Sequence, residues 1–229
     1  MTAEDRRAEA LVIAAHPDDE VLGCGGTIAL HTRRKERVVT LIMCESVSLR
    51  YRDIHVDMEH QTCDAAAVLQ VKEVLQFGFP DQALDTLTLT DLIVRLEQVV
   101  SEVQPRVVYC QYGGDVNRDH QLLFKATLVA TRPLVRSIEA VYAYSTLSST
   151  EWGYPRTFNP DTWVDISATL DQKLAAMACY QSELRDFPHP RSLRAIRSKA
   201  EADGSACCLP AAEPFMTVRR ISRGHQTPG

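Results

Sequence analysis

The 229-residue sequence predicts a three-layer α/β domain with a mostly parallel sheet. Three observations carry that expectation. Short runs that are apolar throughout, such as residues 38–44 (VVTLIMC), read as strands covered on both faces. Stretches with helical spacing alternate with them. The two segments richest in ionisable groups, His16-Pro17-Asp18-Asp19-Glu20 and residues 111–120, each follow a strand directly, where ligands bind in such sheets.

In chain order, residues 1–8 are expected as a frayed lead-in and residues 10–15 as the first strand. A helix over about 20–34 follows, with Gly23, Gly25 and Gly26 early in it, where it must approach a neighbour closely. Residues 38–44 form the second strand, and residues 46–56 a polar loop at the mouth of a site. Residues 58–69 read as a helix, residues 73–77 as a strand and Gly78-Phe79-Pro80-Asp81 as a turn. The helix over 90–103 can be capped by Thr90 and is stopped by Gln104-Pro105. Residues 106–110 form a strand, 121–131 a helix ended by Pro133, and 139–144 a further strand. After a polar-aromatic loop over 145–159 come a short strand (163–166), helices over 169–181 and 192–202, and a last strand over 215–221. The tail from Gly224 is expected to be disordered. No repeat or low-complexity linker interrupts the chain, so a single domain over 1–229 is expected.

Composition narrows the function classes. A net charge of −5 with no basic block argues against nucleic acid; the RRKER run at 33–37 reads as a solvated helix end. No apolar run approaches the ~20 residues that span a bilayer, and the first ten residues lack the apolar centre of a signal peptide. The chain is therefore expected in the cytoplasm, where its seven cysteines stay reduced. Cys207-Cys208 has no partner pair at zinc-finger spacing, which makes a four-cysteine structural site improbable. A homo-oligomer is compatible with the sequence.

The chemistry is concentrated in the two segments after strands. Three carboxylates within three residues repel one another, and a divalent cation is the simplest counter-charge. His16 and Asp19 offer one nitrogen and one oxygen, which suits Zn2+, though another divalent metal would also fit. His120 can complete the set, leaving a fourth position for water as in catalytic sites. Asp18, one residue from a ligand, is then the natural general base, and Asp119 is expected to hold the His120 imidazole from outside the ligand set. Such a set suits hydrolysis of an amide or ester. The glycines Gly23-x-Gly25-Gly26 invite a phosphate-loop reading, but they do not make GxGxxG and the acidic residues before them would repel phosphate.

Together, AHPDDEVLGCGG over 15–26 and Asp115-Val-Asn117-Arg-Asp119-His120 about a hundred residues later resemble the PIG-L/LmbE family of zinc-dependent N-deacetylases. FNPDTWVDIS over 158–167, the Lys173 helix with Tyr180-Gln181-Ser182, and Ala212-Glu213-Pro214-Phe215 resemble that family's later blocks in the same order. The resemblance implies a Rossmann-like fold, metal at His16, Asp19 and His120, Asp18 as base, and removal of an acetyl group from N-acetylglucosamine-type sugars or their conjugates. Some members carry a histidine where this chain has Asn117, and others just upstream, where it has Gln111 and Tyr112. Asn117 and Asp115 are therefore the candidates for help to the oxyanion or the leaving amine. Near the C-terminus the usual Arg-Gly is Asp203-Gly204, so the pocket wall is expected to differ.

The expected substrate contacts are Arg50 and Arg52 from the loop over 46–56, Tyr112, Trp152 and His189. Trp152 with Tyr154 and Phe158 offers an apolar face for a sugar ring, and Glu151 a partner for its hydroxyls. The partner is thus an amino sugar or a conjugate of one. The rival readings are an amidase acting on a larger N-acyl conjugate or antibiotic, and a metal- or nucleotide-binding module without turnover.

Overall fold

The computed structural model describes residues 7–47 and 56–223. Arg50, Arg52 and the tail from Gly224 lie outside the described residues.

One seven-stranded sheet is drawn from nearly the whole described chain, in the order β3-β2-β1-β4-β5-β7-β6. Its strands are β1 (Ala10–Ala14), β2 (Val38–Cys44), β3 (Glu73–Phe79), β4 (Val107–Gln111), β5 (Ala140–Tyr144), β6 (Thr162–Asp165) and β7 (Ala212–Arg220). The first five pair in parallel, with β1 between β2 and β4. β7 runs antiparallel to both β5 and β6, which makes the sheet mixed at one side. The helices are α1 (Asp19–Arg33), α2 (Met58–Val68), α3 (Leu89–Val103), α4 (Arg118–Ala130), α5 (Leu170–Cys179) and α6 (Leu193–Ser205).

Alternation along the strands builds the three layers. Leu11 and Ile13 of β1 enter one core with Leu41 of β2, Val108 of β4, Leu96 of α3 and Leu123 of α4. Ala10 and Val12 point the other way, into a core with Ile28 of α1, Tyr109 of β4 and Met177 of α5. All of β1 and β2 is buried, as continuous apolar strands under helices on both faces must be. The close approach expected of α1 is real. A Cβ on Gly23 would sit 2.0 Å from the Tyr144 ring, and one on Gly26 2.6 Å from Ile166. These glycines lie inside the helix, so they form no phosphate loop.

Several boundaries differ from the sequence reading. Residue 8 is anchored rather than frayed, for its N–H donates to Val103 O and its carbonyl accepts from Arg106 N. β3 continues through Gly78 and Phe79, since Glu45 N–H donates to Phe79 O and glycine tolerates the φ of 65° at Gly78. α3 is capped by Thr88, not Thr90, in a reciprocal pair with Asp91. α4 begins at Arg118, three residues early, because the Asn117 side chain caps it.

The candidate active site

β1 and β4 are neighbours whose following helices belong to opposite layers, so a crevice opens at their carboxyl ends. His16 and Asp19 leave β1, and His120 sits in the first turn of α4 after β4. The fold therefore brings the three expected ligands together. His16 Nδ1, Asp19 Oδ2 and His120 Nε2 form a triangle whose three sides are each 3.3 Å. Two ligands of a tetrahedral zinc with bonds of ~2.0–2.1 Å stand ~3.3 Å apart, so the triangle has the size of one face of such a site.

The outer nitrogen of each imidazole faces a carboxylate. His16 Nε2 is 3.1 Å from Asp119 Oδ2, and His120 Nδ1 is 3.3 Å from Asp115 Oδ2. For His16 that pairing places the ring proton on the outer nitrogen and leaves the inner lone pair for a cation, whereas His120 Nδ1 lies near Asp115 without a hydrogen-bond partner among the described residues. The assignment of Asp119 changes accordingly: it reaches His16, not its neighbour His120. Consecutive helical residues project ~100° apart, so the start of α4 sends one side chain to each side of the crevice. Asp119 is fixed further by Leu84 N–H at 3.1 Å and by the Cys44 thiol. Asp81 and Gln82 also approach His16 Nε2, at 3.3 and 3.2 Å.

Asp115 and Asn117 hold the framework. The Asp115 carboxylate accepts hydrogen bonds from Asn117 N–H, Ser149 and Thr150, tying the loop after β5 to His120. Burial raises its pKa, but His120 and the two hydroxyls outweigh burial and hold it below its usual value. It acts there as an acceptor. Asn117 Oδ1 accepts from the N–H groups of Asp119 and His120, which orients both side chains at once. Gln111 plays a part that the sequence reading did not assign. Its Oε1 accepts from Ala15 N–H and its Nε2 donates to Asp19 Oδ2 at 2.6 Å, bolting the end of β4 to the ligand loop.

Asp18 adopts φ 100°, a left-handed conformation that costs an L-residue ~1–3 kcal/mol and is typically kept only at functional sites. Its carboxylate lines the same cleft as the trio, and Arg191 stands 3.3 Å away while holding Glu183 at 2.6 Å. Burial and the neighbouring Asp19 push the Asp18 pKa well up, and Arg191 opposes them. Asp19 goes the other way: burial raises its pKa, but the His120 and His16 imidazoles prevail and lower it. Burial opposes protonation of His120, yet Asp19 and Asp115 raise its pKa to about 9. His16 is raised well above its usual value too, by Asp119 and Asp19 against burial. Positive charge is what this cluster lacks, and a divalent ion between the three inner atoms would supply it. Glu20 lies deeper, accepting from Tyr180 OH and Asp18 N–H; burial lifts its pKa to about 7.

The remaining expected contacts lie farther out. Tyr112 donates its hydroxyl to Thr157 and packs against Phe158 and Phe124, plugging the loop after β5 rather than facing the trio. Trp152 and His189 meet edge to face at 6.3 Å, and His189 Nδ1 accepts from Arg191 N–H. Glu151 accepts from the Ser148 and Ser149 amides. Arg191, Glu183 and Thr146, which also line the cleft, were missed in the sequence; the Thr146 hydroxyl is buried without a hydrogen-bond partner among the described residues.

Behind the site, Lys173 and Glu213 form a buried ion pair at 2.6 Å that is interleaved with α1. Lys173 donates to Leu22 O, and Glu213 accepts from the N–H groups of Gly26 and Thr27. The later blocks singled out in the sequence thus brace the helix that carries Asp19.

A family profile described as "PIG-L: GlcNAc-PI de-N-acetylase" matches residues 11–131. The chain is 27% identical over 188 residues to the uncharacterized deacetylase YaiS of Escherichia coli K12, covering 80% of this chain and 95% of that one. It is 25% identical over 194 residues to a probable N-acetyl-alpha-D-glucosaminyl L-malate deacetylase 2 of Bacillus cereus, covering 76% and 82%. In fold it resembles GalB, the 4-carboxy-2-hydroxymuconate hydratase of Pseudomonas putida KT2440, with a TM-score of 0.75 at 22% identity over 96% of this chain and all of that one.

Proposed function

The chain belongs to the PIG-L family of de-N-acetylases, and from that membership we propose that it is a metal-dependent hydrolase that removes the acetyl group from an N-acetylglucosamine-type sugar or a conjugate of one. The observation that carries the reading is the equilateral triangle of His16 Nδ1, Asp19 Oδ2 and His120 Nε2 beside a carboxylate, Asp18, that holds no metal-facing position. Zinc is the ion that the donor set and the 3.3 Å spacing suit best. When bound, such an ion supplies Lewis acidity toward a carbonyl and makes water a better nucleophile.

The chain's own groups do the rest. Asp18 accepts the proton of the attacking water at its carboxylate, which burial and the neighbouring Asp19 make a stronger base than an ordinary aspartate. The same carboxyl then passes the proton to the departing nitrogen. Asn117 is committed to the α4 cap and Asp115 to His120, which leaves Asp18 as both base and acid. Arg191 anchors Asp18. The reaction consumes one water and yields acetate and the free amine.

The likeness to a hydratase shows that this scaffold hosts other water chemistry. Acetate assay decides between them. Metal-reconstituted protein is expected to release acetate from N-acetylglucosamine derivatives, with Asp18→Asn lowering kcat by ~10³ or more, roughly the upper part of what general base catalysis supplies. Failure to deacetylate any acetamido sugar, or full activity in Asp18→Asn, ends this reading. All seven cysteines are free thiols, which supports a reducing compartment such as the cytoplasm. Among the described residues, no helix is long and apolar enough to cross a membrane.

A further inference from the structure

A backbone at φ 100°, as at Asp18, persists only where its surroundings over-determine it. The carbonyl of Asp18 accepts from Val21 N–H at 3.0 Å and from Leu22 N–H at 2.8 Å. Those bonds open α1, and the residue before any helix makes bonds of this kind. The N–H of Asp18 donates to Glu20 Oε2 at 3.1 Å, and its carboxylate meets Arg191 at 3.3 Å. These two come from side chains, and both trace back to a single residue outside the cleft.

That residue is Tyr180, fully buried just after α5. Its hydroxyl donates to Glu20 Oε1 at 2.5 Å, so the carboxylate that receives the Asp18 N–H is itself pinned. Its carbonyl accepts from Glu183 N–H at 3.0 Å, and Glu183 Oε2 holds Arg191 at 2.6 Å. The bonds close a ring from Tyr180 through Glu20 to the backbone of Asp18, and back from its carboxylate through Arg191 and Glu183. Glu20, Asp18 and Glu183 are buried as well. In such surroundings a hydrogen bond is stronger than in water, and an orphaned group costs more. A phenylalanine would fill the same part of the core, so packing alone does not call for the hydroxyl. What the hydroxyl adds is a fixed place for Glu20, and through it for Asp18.

We propose that Tyr180 is a positioning residue for the general base: acting through Glu20, its hydroxyl keeps Asp18 in the left-handed conformation that aims the carboxylate into the cleft beside Arg191. Neither Tyr180 nor Glu20 touches the substrate in this scheme. The inference rests on the deacetylase reading for the role of Asp18 as base.

The test measures acetate release by the metal-reconstituted full chain. Tyr180→Phe removes one oxygen, keeps the packing, and is expected to lower kcat at least ~10-fold, the worth of a hydrogen bond to a charged group. Glu20→Leu removes the whole link and should cost ~100-fold. KM and zinc affinity should stay near their native values in both, because Asp18 is not among the three metal-facing residues. Glu20→Gln should recover most of kcat, since its oxygen can accept from Asp18 N–H while its NH2 donates to the Tyr180 oxygen. In an Asp18→Asn background, Tyr180→Phe should lower kcat no further, as for two residues acting on one step through one group. Native kcat in both single variants, or a second ~10-fold fall in the Asp18→Asn background, overturns the proposal. If no acetamido sugar is hydrolysed, the deacetylase reading fails alone, and crystal structures of the two variants decide the positioning role. Asp18 leaving φ 100° or losing Arg191 in either variant upholds it; both features kept in both variants overturn it.

Discussion

Asp18 and Arg191, 173 residues apart in the chain, meet at 3.3 Å, and the same guanidinium nitrogen holds Glu183 at 2.6 Å. Arg191 is the cation that opposes burial and Asp19 in setting the protonation of Asp18. Its removal lets the Asp18 pKa rise further. The acidic limb of the kcat/KM profile should then move to higher pH, by ~1–3 units in Arg191→Ala. Arg191→Lys should restore part of the shift, since a lysine keeps the charge but not the fork. A pH–rate profile of the three proteins checks this; an unmoved acidic limb refutes it.

Metal affinity should depend on pH. In the metal-free protein His120 holds its proton up to about 9, and an ion must displace it. Observed affinity is expected to tighten ~tenfold per pH unit for each imidazole proton displaced, and more steeply where His16 is protonated too. The stability sign follows. The folded pKa lies above the unfolded value of ~6.5, so the stabilisation is full below ~6.5 and lost as pH rises through about 9. Urea melts of metal-free protein at pH 6.5 and 9 should show the loss, and added zinc should reverse it.

The carboxylates behind the imidazoles can be tested separately. Asp119→Asn removes the carboxylate acceptor of His16, and Asp115→Asn the negative charge beside His120. Each should weaken metal binding by ~10–100-fold. Calorimetric titration would detect either loss. Equal affinity in the Asp119 variant would return that residue to a purely structural place.

Asp18 should sit on a trade between activity and stability. Its φ of 100° and its buried charge both work against the fold. Asp18→Gly relieves both and should abolish turnover while raising stability by ~1–3 kcal/mol. For a chain of this size that is a rise of several degrees in Tm, ~2–4 °C per kcal/mol. A lower Tm in the variant would contradict the strain.

Lys173→Met leaves Glu213 buried opposite an apolar side chain. Breaking a buried pair in this way costs ~3–5 kcal/mol, enough to show clearly in a denaturation curve. The loss should exceed that from Lys199→Met, whose partner Asp203 lies on the surface side of α6.

The convergence of His16, Asp19 and His120 was legible in the sequence because two of them are three residues apart after one strand and the third follows another. The layer order and most strands were legible because their apolar runs are unbroken. Arg191 was not, because nothing in a local pattern says which distant guanidinium will find a buried carboxylate. Gln111 was read through a missing histidine, and its amide bridge between β1 and Asp19 needs the pairing of β1 with β4 to be seen. Asn117 was a foreseeable cap; placing the helix start at residue 121 hid it, and with it the true direction of Asp119. Tyr112 was taken toward the substrate, whereas the aromatic side chains Phe124 and Phe158 draw it outward.

The origin of Arg191 has a consequence for how this chain can change. His16, Asp18 and Asp19 follow β1, and His120 sits in the first turn of α4. Arg191 instead comes from the segment between α5 and α6, and Ser149 and Thr150, which hold Asp115, come from the segment after β5. Rebuilding either connection therefore reaches the acid–base groups themselves, and an engineer who does so should keep these three side chains in place.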